Sequence, residues 1–175
     1  MTLFTRFLRY AGMFVLLWGA SACSERQQVT DSEPALAQQS TMRPMLSVYK
    51  SPTCGCCGDW IEHIEASGIN TQVYHPTDLN QIKADRGISP VHQSCHTAIS
   101  KEGYVFEGHI PAKYVRQFLD NPPNDAIGLA VPAMPIGSPG MEMGERFSPY
   151  QVLLLKKNGS SEVFARVDVQ EDQYQ

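Results

Sequence analysis

Apolar residues along this chain change their period several times, and each change marks an element. Met45-Leu46-Ser47-Val48-Tyr49 alternates as a short strand does and stops at Ser51-Pro52, where a cysteine cluster follows at once. From Gly58 a helical stripe takes over, with Trp60, Ile61 and Ile64 on one face and Gly68 in the place of a C-cap. Asn70 to Tyr74 reads as a second strand. Thr77 or Asp78 then serves as N-cap of a second helix that runs through Leu79, Ile82 and Lys83 to a stop at Gly87. Thr97 to Ser100 and Tyr104 to Glu107 form a hairpin across Lys101-Glu102-Gly103, and Pro111, as the first helical residue, opens a third helix over Ala112 to Leu119. Residues 122–149 read as a long Pro/Gly/Met loop, and so long a structureless stretch inside a compact domain is expected to be functional. Gln151 to Leu155 and Glu162 to Val167 close the pattern as a hairpin over Lys157-Asn158-Gly159-Ser160.

The resulting order is β-α-β-α-β-β-α, with a cysteine pair at the N-terminus of the first helix, followed by the loop and a C-terminal β-hairpin. That is the order of a thioredoxin-like α/β domain. A parallel strand pair crossing over through a helix and an antiparallel hairpin at the end agree with it. The domain is expected over residues 45–175 as a single folded unit.

Ahead of it lies an export segment. Arg6 and Arg9 form a basic start, an apolar run ends at Trp18, and Gly19-Ala20-Ser21-Ala22 is a small-residue cleavage zone, so residues 1–22 read as a signal peptide. The apolar run rises only about 16 Å at 1.5 Å per residue, roughly half a bilayer core, and so does not span a membrane. Cleavage before Cys23 would make Ala20-Ser21-Ala22-Cys23 a lipobox with Cys23 as the lipid-attachment site; the plainer alternative is an Ala-x-Ala site beside an incidental cysteine. Residues 23–44 are polar, rich in Gln and Ser, without apolar period, and read as a disordered tether. The expected location is the periplasm, with the membrane reached only through an anchor on Cys23.

Charge narrows the partners. The 175 residues carry 14 Lys+Arg against 18 Asp+Glu, and removal of Arg6 and Arg9 leaves 12 basic and 18 acidic side chains, a formal charge of −6. Nucleic acid is excluded as a partner, because its binding needs clustered Lys and Arg. A domain of this size buries enough apolar surface without disulfide staples, so its five cysteines need another explanation.

Cys54-Gly55-Cys56-Cys57 holds a C-x-x-C spacing with a third thiol inside it. A helix N-terminus lowers thiol pKa and favours the thiolate that both exchange chemistry and metal ligation require. For a plain dithiol oxidoreductase the third cysteine is a liability, since mixed pairings compete with Cys54–Cys57. Three close sulfurs suit a soft ion instead. In a thioredoxin-like domain the loop before the third strand faces the C-x-x-C pair, and here that loop carries Cys95 and His96. Two structural disulfides are the bland alternative, but the crowded spacing closes almost no loop and makes a poor staple. Soft thiolates select Cu(I), Zn²⁺ or an iron–sulfur cluster. Zinc stands second, because structural zinc sites favour separated ligand pairs, and iron–sulfur assembly is a poor fit outside the cytoplasm.

Met134, Met141 and Met143 lie among Gly and Pro in the long loop, and a thioether is a soft ligand that needs no deprotonation. Met141 and Met143 are the candidate ligands; gap-filling is the ordinary use of such residues. His96 is a candidate ligand or proton carrier. His63 reads as a solvated or capping side chain, His109 as a partner of a loop backbone, and His75 and His92 as surface residues. Asp59 and Glu62 are explained by the helix dipole.

Taken together, CGCCGDWIEHI at 54–64, SCHTAIS at 94–100, GYVFEGHIPA at 103–112 and IGLAVPAMPIGSPGMEMG at 127–144 resemble the CopG-type periplasmic copper-resistance proteins over residues 45–156. Ala133 departs from the glycine frequent in that family's loop. The resemblance implies a modified thioredoxin-like fold, copper held by Cys54, Cys56, Cys57 and Cys95 with Met141 and Met143 alongside, a role in surviving excess copper, and neighbours among periplasmic copper-handling and efflux proteins. Four sulfurs with extra Met and His exceed what one Cu(I) needs, so a multinuclear site that cycles between copper oxidation states is expected. Both an enzyme that interconverts Cu(I) and Cu(II) and a buffer or carrier fit such residues. Two alternatives remain: a thiol-disulfide oxidoreductase with Cys54 as nucleophile and Cys57 as resolving thiol, and a zinc- or disulfide-stabilised interaction module.

Overall fold

A computed structural model describes residues 44–174. The signal peptide, Cys23 and nearly all of the tether lie outside the described residues. Seven strands form one sheet in the order β2-β1-β3-β4-β5-β6-β7. β1 (Met45–Lys50) pairs in parallel with β2 (Asn70–Tyr74) through the crossover helix α1 (Gly55–Ala66), and antiparallel with β3 (His96–Ser100). β3 continues antiparallel into β4 (Val105–Glu107) after a tight turn. Helix α2 (Leu79–Asp85) links β2 to β3 and is capped by Asp78, whose carboxylate accepts the Gln81 N–H at 3.0 Å. No helix among the described residues is long and apolar enough to cross a membrane.

Helix α3 (Ala112–Asp120) carries the chain from β4 to β5 (Ala126–Ala130), which pairs in parallel with β4. This strand corrects the sequence expectation of an unbroken loop over 122–149. β5 then pairs antiparallel with β6 (Tyr150–Lys156), and β6 forms the expected hairpin with β7 (Ser161–Val167). Two further boundaries move. Helix α1 begins at Gly55, three residues before its apolar stripe, so Cys56 and Cys57 lie in its first turn with Cys54 as its N-cap, and Pro111 is the N-cap of α3, not its first helical residue.

Alternation of side chains divides the core in two. On one face Leu46, Val48, Ala98, Phe106, Leu129 and Val152 pack under Trp60 and Ile64 of α1 and Val115 and Phe118 of α3. On the other, Ile99, Val105, Ala130 and Leu155 pack with Ile82 of α2. β3 is buried along its whole length. The segment before it, which carries Cys95, is therefore delivered to the middle of the sheet's edge, beside the N-terminus of α1.

Candidate metal centre

Cys54 is the N-cap of α1, with extended backbone and no side-chain capping bond, so its sulfur is free for other chemistry. Cys56 and Cys57 follow within the first turn. Cys57 lies on the same buried face as Trp60 and Ile64, a spacing of three and four residues that turns it towards the sheet. The four sulfurs of Cys54, Cys56, Cys57 and Cys95 all lie within 4.8 Å of one another. Cys54 and Cys57 are joined as a disulfide, Cα to Cα 5.5 Å, whereas Cys56 and Cys95 are free. Cys54 and Cys56 sulfurs are 3.4 Å apart, and those of Cys57 and Cys95 3.3 Å.

Two imidazoles flank Cys95 in opposite roles. His109 Nδ1 lies 2.8 Å from the Pro139 carbonyl, which only accepts, so Nδ1 carries the proton and Nε2 turns its lone pair to Cys95 Sγ at 3.0 Å. His96 Nδ1 lies 3.4 Å from the same sulfur, and His96 Nε2 is fully buried without a partner. Placing the His96 proton on Nδ1, where it donates to sulfur, leaves a bare acceptor in the core, which costs less than an orphaned donor. The His96 ring packs on Trp60, centroids 4.3 Å apart. Cys95, His96 and His109 form a second close donor set that shares Cys95 with the first.

Burial pushes the Cys95 thiol up to about 12, aided by the neighbouring Cys56. Without a metal this sulfur is a thiol, and thiolate character waits on a cation. Burial also holds His96 well below the ordinary imidazole range, with His109 and Lys83 adding to it, and lowers His109 despite the Pro139 carbonyl. A depressed folded value means that the unfolded chain binds the proton first. The stability from keeping both rings neutral is thus fully present above the unfolded value, about 6.5, and is lost as pH falls below it. Glu107, which burial raises, protonates first in the folded state and opposes this at lower pH. Reduced, metal-free protein should therefore lose stability between pH 7 and 5.5, by at most about 1.4 kcal/mol per pH unit for each ring. Urea unfolding across that range checks it, and a flat profile would show the rings not to be held neutral.

The methionine loop reaches the centre through its backbone. A Cβ on Gly140 would meet Cys56 O at 2.5 Å and Trp60 N at 2.7 Å, so only glycine, at φ 82°, fits so close to the first turn of α1. Met141 follows directly and is half-buried. Met134 and Met143 are exposed, and Met143 Sδ faces the Arg146 guanidinium at 3.5 Å. Ala133 N–H donates to Gln93 O at 3.2 Å, and Ser94 Oγ donates to Ala133 O. Ala133 sits at φ 59°, a left-handed conformation that an alanine adopts at a cost.

His63 accepts the Ala112 N–H at 2.9 Å and so caps α3. His75 meets the Lys50 carbonyl at 3.1 Å, and His92 meets Ser161 Oγ at 3.0 Å. Asp59 and Glu62 are exposed and lie beyond the first turn of α1, which holds no acid, so the dipole does not explain them as the sequence reading expected. His109 is the neighbour of the cluster that sequence reasoning assigned elsewhere. Its backbone partner, Pro139, is real, but that bond serves to aim the other nitrogen at Cys95.

A protein family described as "Protein of unknown function, DUF411" matches residues 92–141. No curated protein matches the chain. Two solved structures are similar to it over 71 % of its length. One, named "Copper resistance protein copG", form 2, is 38 % identical with a TM-score of 0.68 and is covered over 98 % of its own chain. The other, form 1 of that protein, is 39 % identical with a TM-score of 0.67 and is covered over 97 %.

Proposed function

Since the chain belongs to the CopG copper-resistance family, we propose that it binds Cu(I) through Cys54, Cys56, Cys57 and Cys95 in their reduced form, as a multinuclear, thiolate-bridged site. The observation that carries this is the mutual closeness of four sulfurs, a soft donor set that suits Cu(I) and is too crowded for four independent ligands to one linear or trigonal ion. His109 Nε2, with its lone pair turned to the same place, supplies a borderline donor that suits the higher oxidation state as well, and supports cycling between Cu(I) and Cu(II). His96, bonded to Cys95, orients that sulfur or ligates in its stead. Met141, joined to the glycine that rests on Cys56, and Met143 are neighbouring contacts in this proposal.

The first seven elements fit a thioredoxin-like core, on the strength of the order β2-β1-β3-β4 with β1 and β2 parallel and the rest antiparallel. Zinc is the weaker occupant. Export to the periplasm, lipid attachment at Cys23 and hand-over of copper to periplasmic or efflux proteins complete the proposal.

The test is native mass spectrometry of reduced protein loaded anaerobically with Cu(I), with a thiol count. Two or more copper ions and no free thiols are expected; one ion or none, with thiols still reactive, would overturn the multinuclear site. A second assignment is favoured by one observation, the Cys54–Cys57 disulfide beside two free thiols, which is the pairing of a thiol-disulfide oxidoreductase. It predicts metal-free disulfide exchange that persists when Cys56 and Cys95 are serine.

A further inference from the structure

Beneath the cysteine cluster lies a charged pair that the copper chemistry itself does not use. Lys83 on α2 is 2 % exposed and Glu107 at the end of β4 is fully buried, and the two are in contact as an ion pair. The Glu107 carboxylate does more than neutralise the lysine. Its Oε1 accepts the Ser94 N–H at 2.7 Å, and its Oε2 accepts the Thr97 hydroxyl proton at 2.6 Å. Lys83 Nζ closes the triangle by donating to Thr97 Oγ1 at 2.9 Å. Ser94 and Thr97 bracket Cys95 and His96, so both ends of the segment that carries the fourth sulfur are tied to one carboxylate.

A buried ion pair is a poor way to stabilise a fold. Its desolvation offsets most of its attraction, and neutral partners of similar volume are often tolerated or better. What such a pair does well is to fix geometry, because each oxygen accepts along a preferred direction and neither charge can be left alone. Here the fixed object is a four-residue stretch with a sulfur 3.3 Å from that of Cys57. The tie is reinforced on the backbone, where Gly108 N–H donates to His96 O at 3.1 Å.

We propose that the buried Lys83–Glu107 pair is a positioning device: it clamps Ser94 and Thr97 so that the Cys95 sulfur stands at bridging distance from the cysteines of α1, and so sets the affinity and form of the bound copper. This rests on the copper assignment above. Lys83 and Glu107 touch no metal; they act through the segment they hold.

The test compares the full chain with Glu107→Gln and with the neutral double variant Lys83→Met/Glu107→Gln. Each is reduced, loaded with Cu(I) alone, and examined by competition with a chromophoric Cu(I) chelator, by native mass spectrometry and by the emission of Cu(I)–thiolate centres. The double variant is expected to melt near the parent temperature, yet to hold copper about 10–100-fold more weakly, with altered emission, as when a group behind a metal ligand is removed. The single variant leaves a buried ammonium unpaired and should lose both stability and copper. Parent affinity, stoichiometry and emission in a folded double variant would overturn the proposal, and so would a double variant that does not fold, since the pair would then be structural. Alkylation of Cys95 in the metal-free protein, mapped by mass, gives a second reading. It should become several-fold faster in the double variant. If the parent protein takes up no copper, the copper assignment fails, and the alkylation rate alone decides the clamp: faster supports it, unchanged rejects it.

Discussion

Cys95→Ser is expected to abolish the proposed multinuclear copper site while leaving the fold in place. Three of the four sulfurs come from the N-cap and first turn of α1, and Cys95 alone comes from the opposite segment, so its loss removes every sulfur bridge across the centre. Changes behind a metal ligand cost about 10–100-fold in affinity, and deletion of a bridging thiolate should exceed that range. Stability should change little, because Cys95 is only half-buried and a serine hydroxyl can donate to His109 Nε2 in its place. Chelator competition and native mass spectrometry check the outcome. Unchanged copper stoichiometry and affinity would sink the site assignment. The same variant separates the two functional readings, since disulfide exchange by Cys54 and Cys57 would continue at a modestly altered rate.

Gly128→Ala is expected to have the largest effect on stability. Gly128 in β5 stands at φ 152°, and a Cβ there would lie 1.8 Å from Val105 O and 2.7 Å from Val105 C and N. All of these are backbone atoms of the paired strand β4, so no side chain can move aside. Strain of backbone and overpacking each cost about 1–3 kcal/mol, and together they approach the 5–15 kcal/mol that holds an ordinary domain. The variant should unfold at markedly lower denaturant or fail to accumulate as soluble protein. A loss below about 1 kcal/mol, ordinary for a surface change, would show that β5 does not approach β4 in this register.

That glycine also explains why β5 was illegible. Ala126-Ile127-Gly128-Leu129-Ala130 is short, bounded by Pro122-Pro123 and Pro132, and buried on nearly every residue, so it has neither alternation nor length. Its partners lie about twenty residues before and after it, and only they make it a strand. The start of α1 was hidden in a similar way. Gly55 and Gly58 are poor helix formers, and the stripe that announces the helix begins only at Cys57 and Trp60. Strand β1 was legible through its alternation, and β3, β4 and the β6–β7 hairpin, although β3 and β4 are buried throughout, through the short turns that join them locally.

The site divides along the same line. Cys54, Cys56 and Cys57 declare themselves by spacing, and Cys95 followed once the fold placed its loop opposite them. His109 lies just past the end of β4, and although the hairpin register brings Gly108 opposite His96, nothing in the residue type alone singled it out as a neighbour of Cys95. Lys83 carried a faint signal, since it lies on the apolar stripe of α2 with Ile82, but its burial makes sense only with Glu107, 24 residues on.

Three sulfurs at the N-terminus of α1 and a fourth on a separate segment give the centre a single seam. Along it, residues 93 and 94 are fastened to Ala133 by two hydrogen bonds, in a stretch of chain that holds its alanine in an unfavourable backbone conformation. Parting that seam requires no helix to unwind, but it would also have to free Ser94 and Thr97 from the buried Glu107 carboxylate, so it stands well above the lowest local openings of a native protein. In the proposed copper site, the dwell time of an ion would then depend on how seldom the clamped segment lets go, as well as on the sulfur bonds.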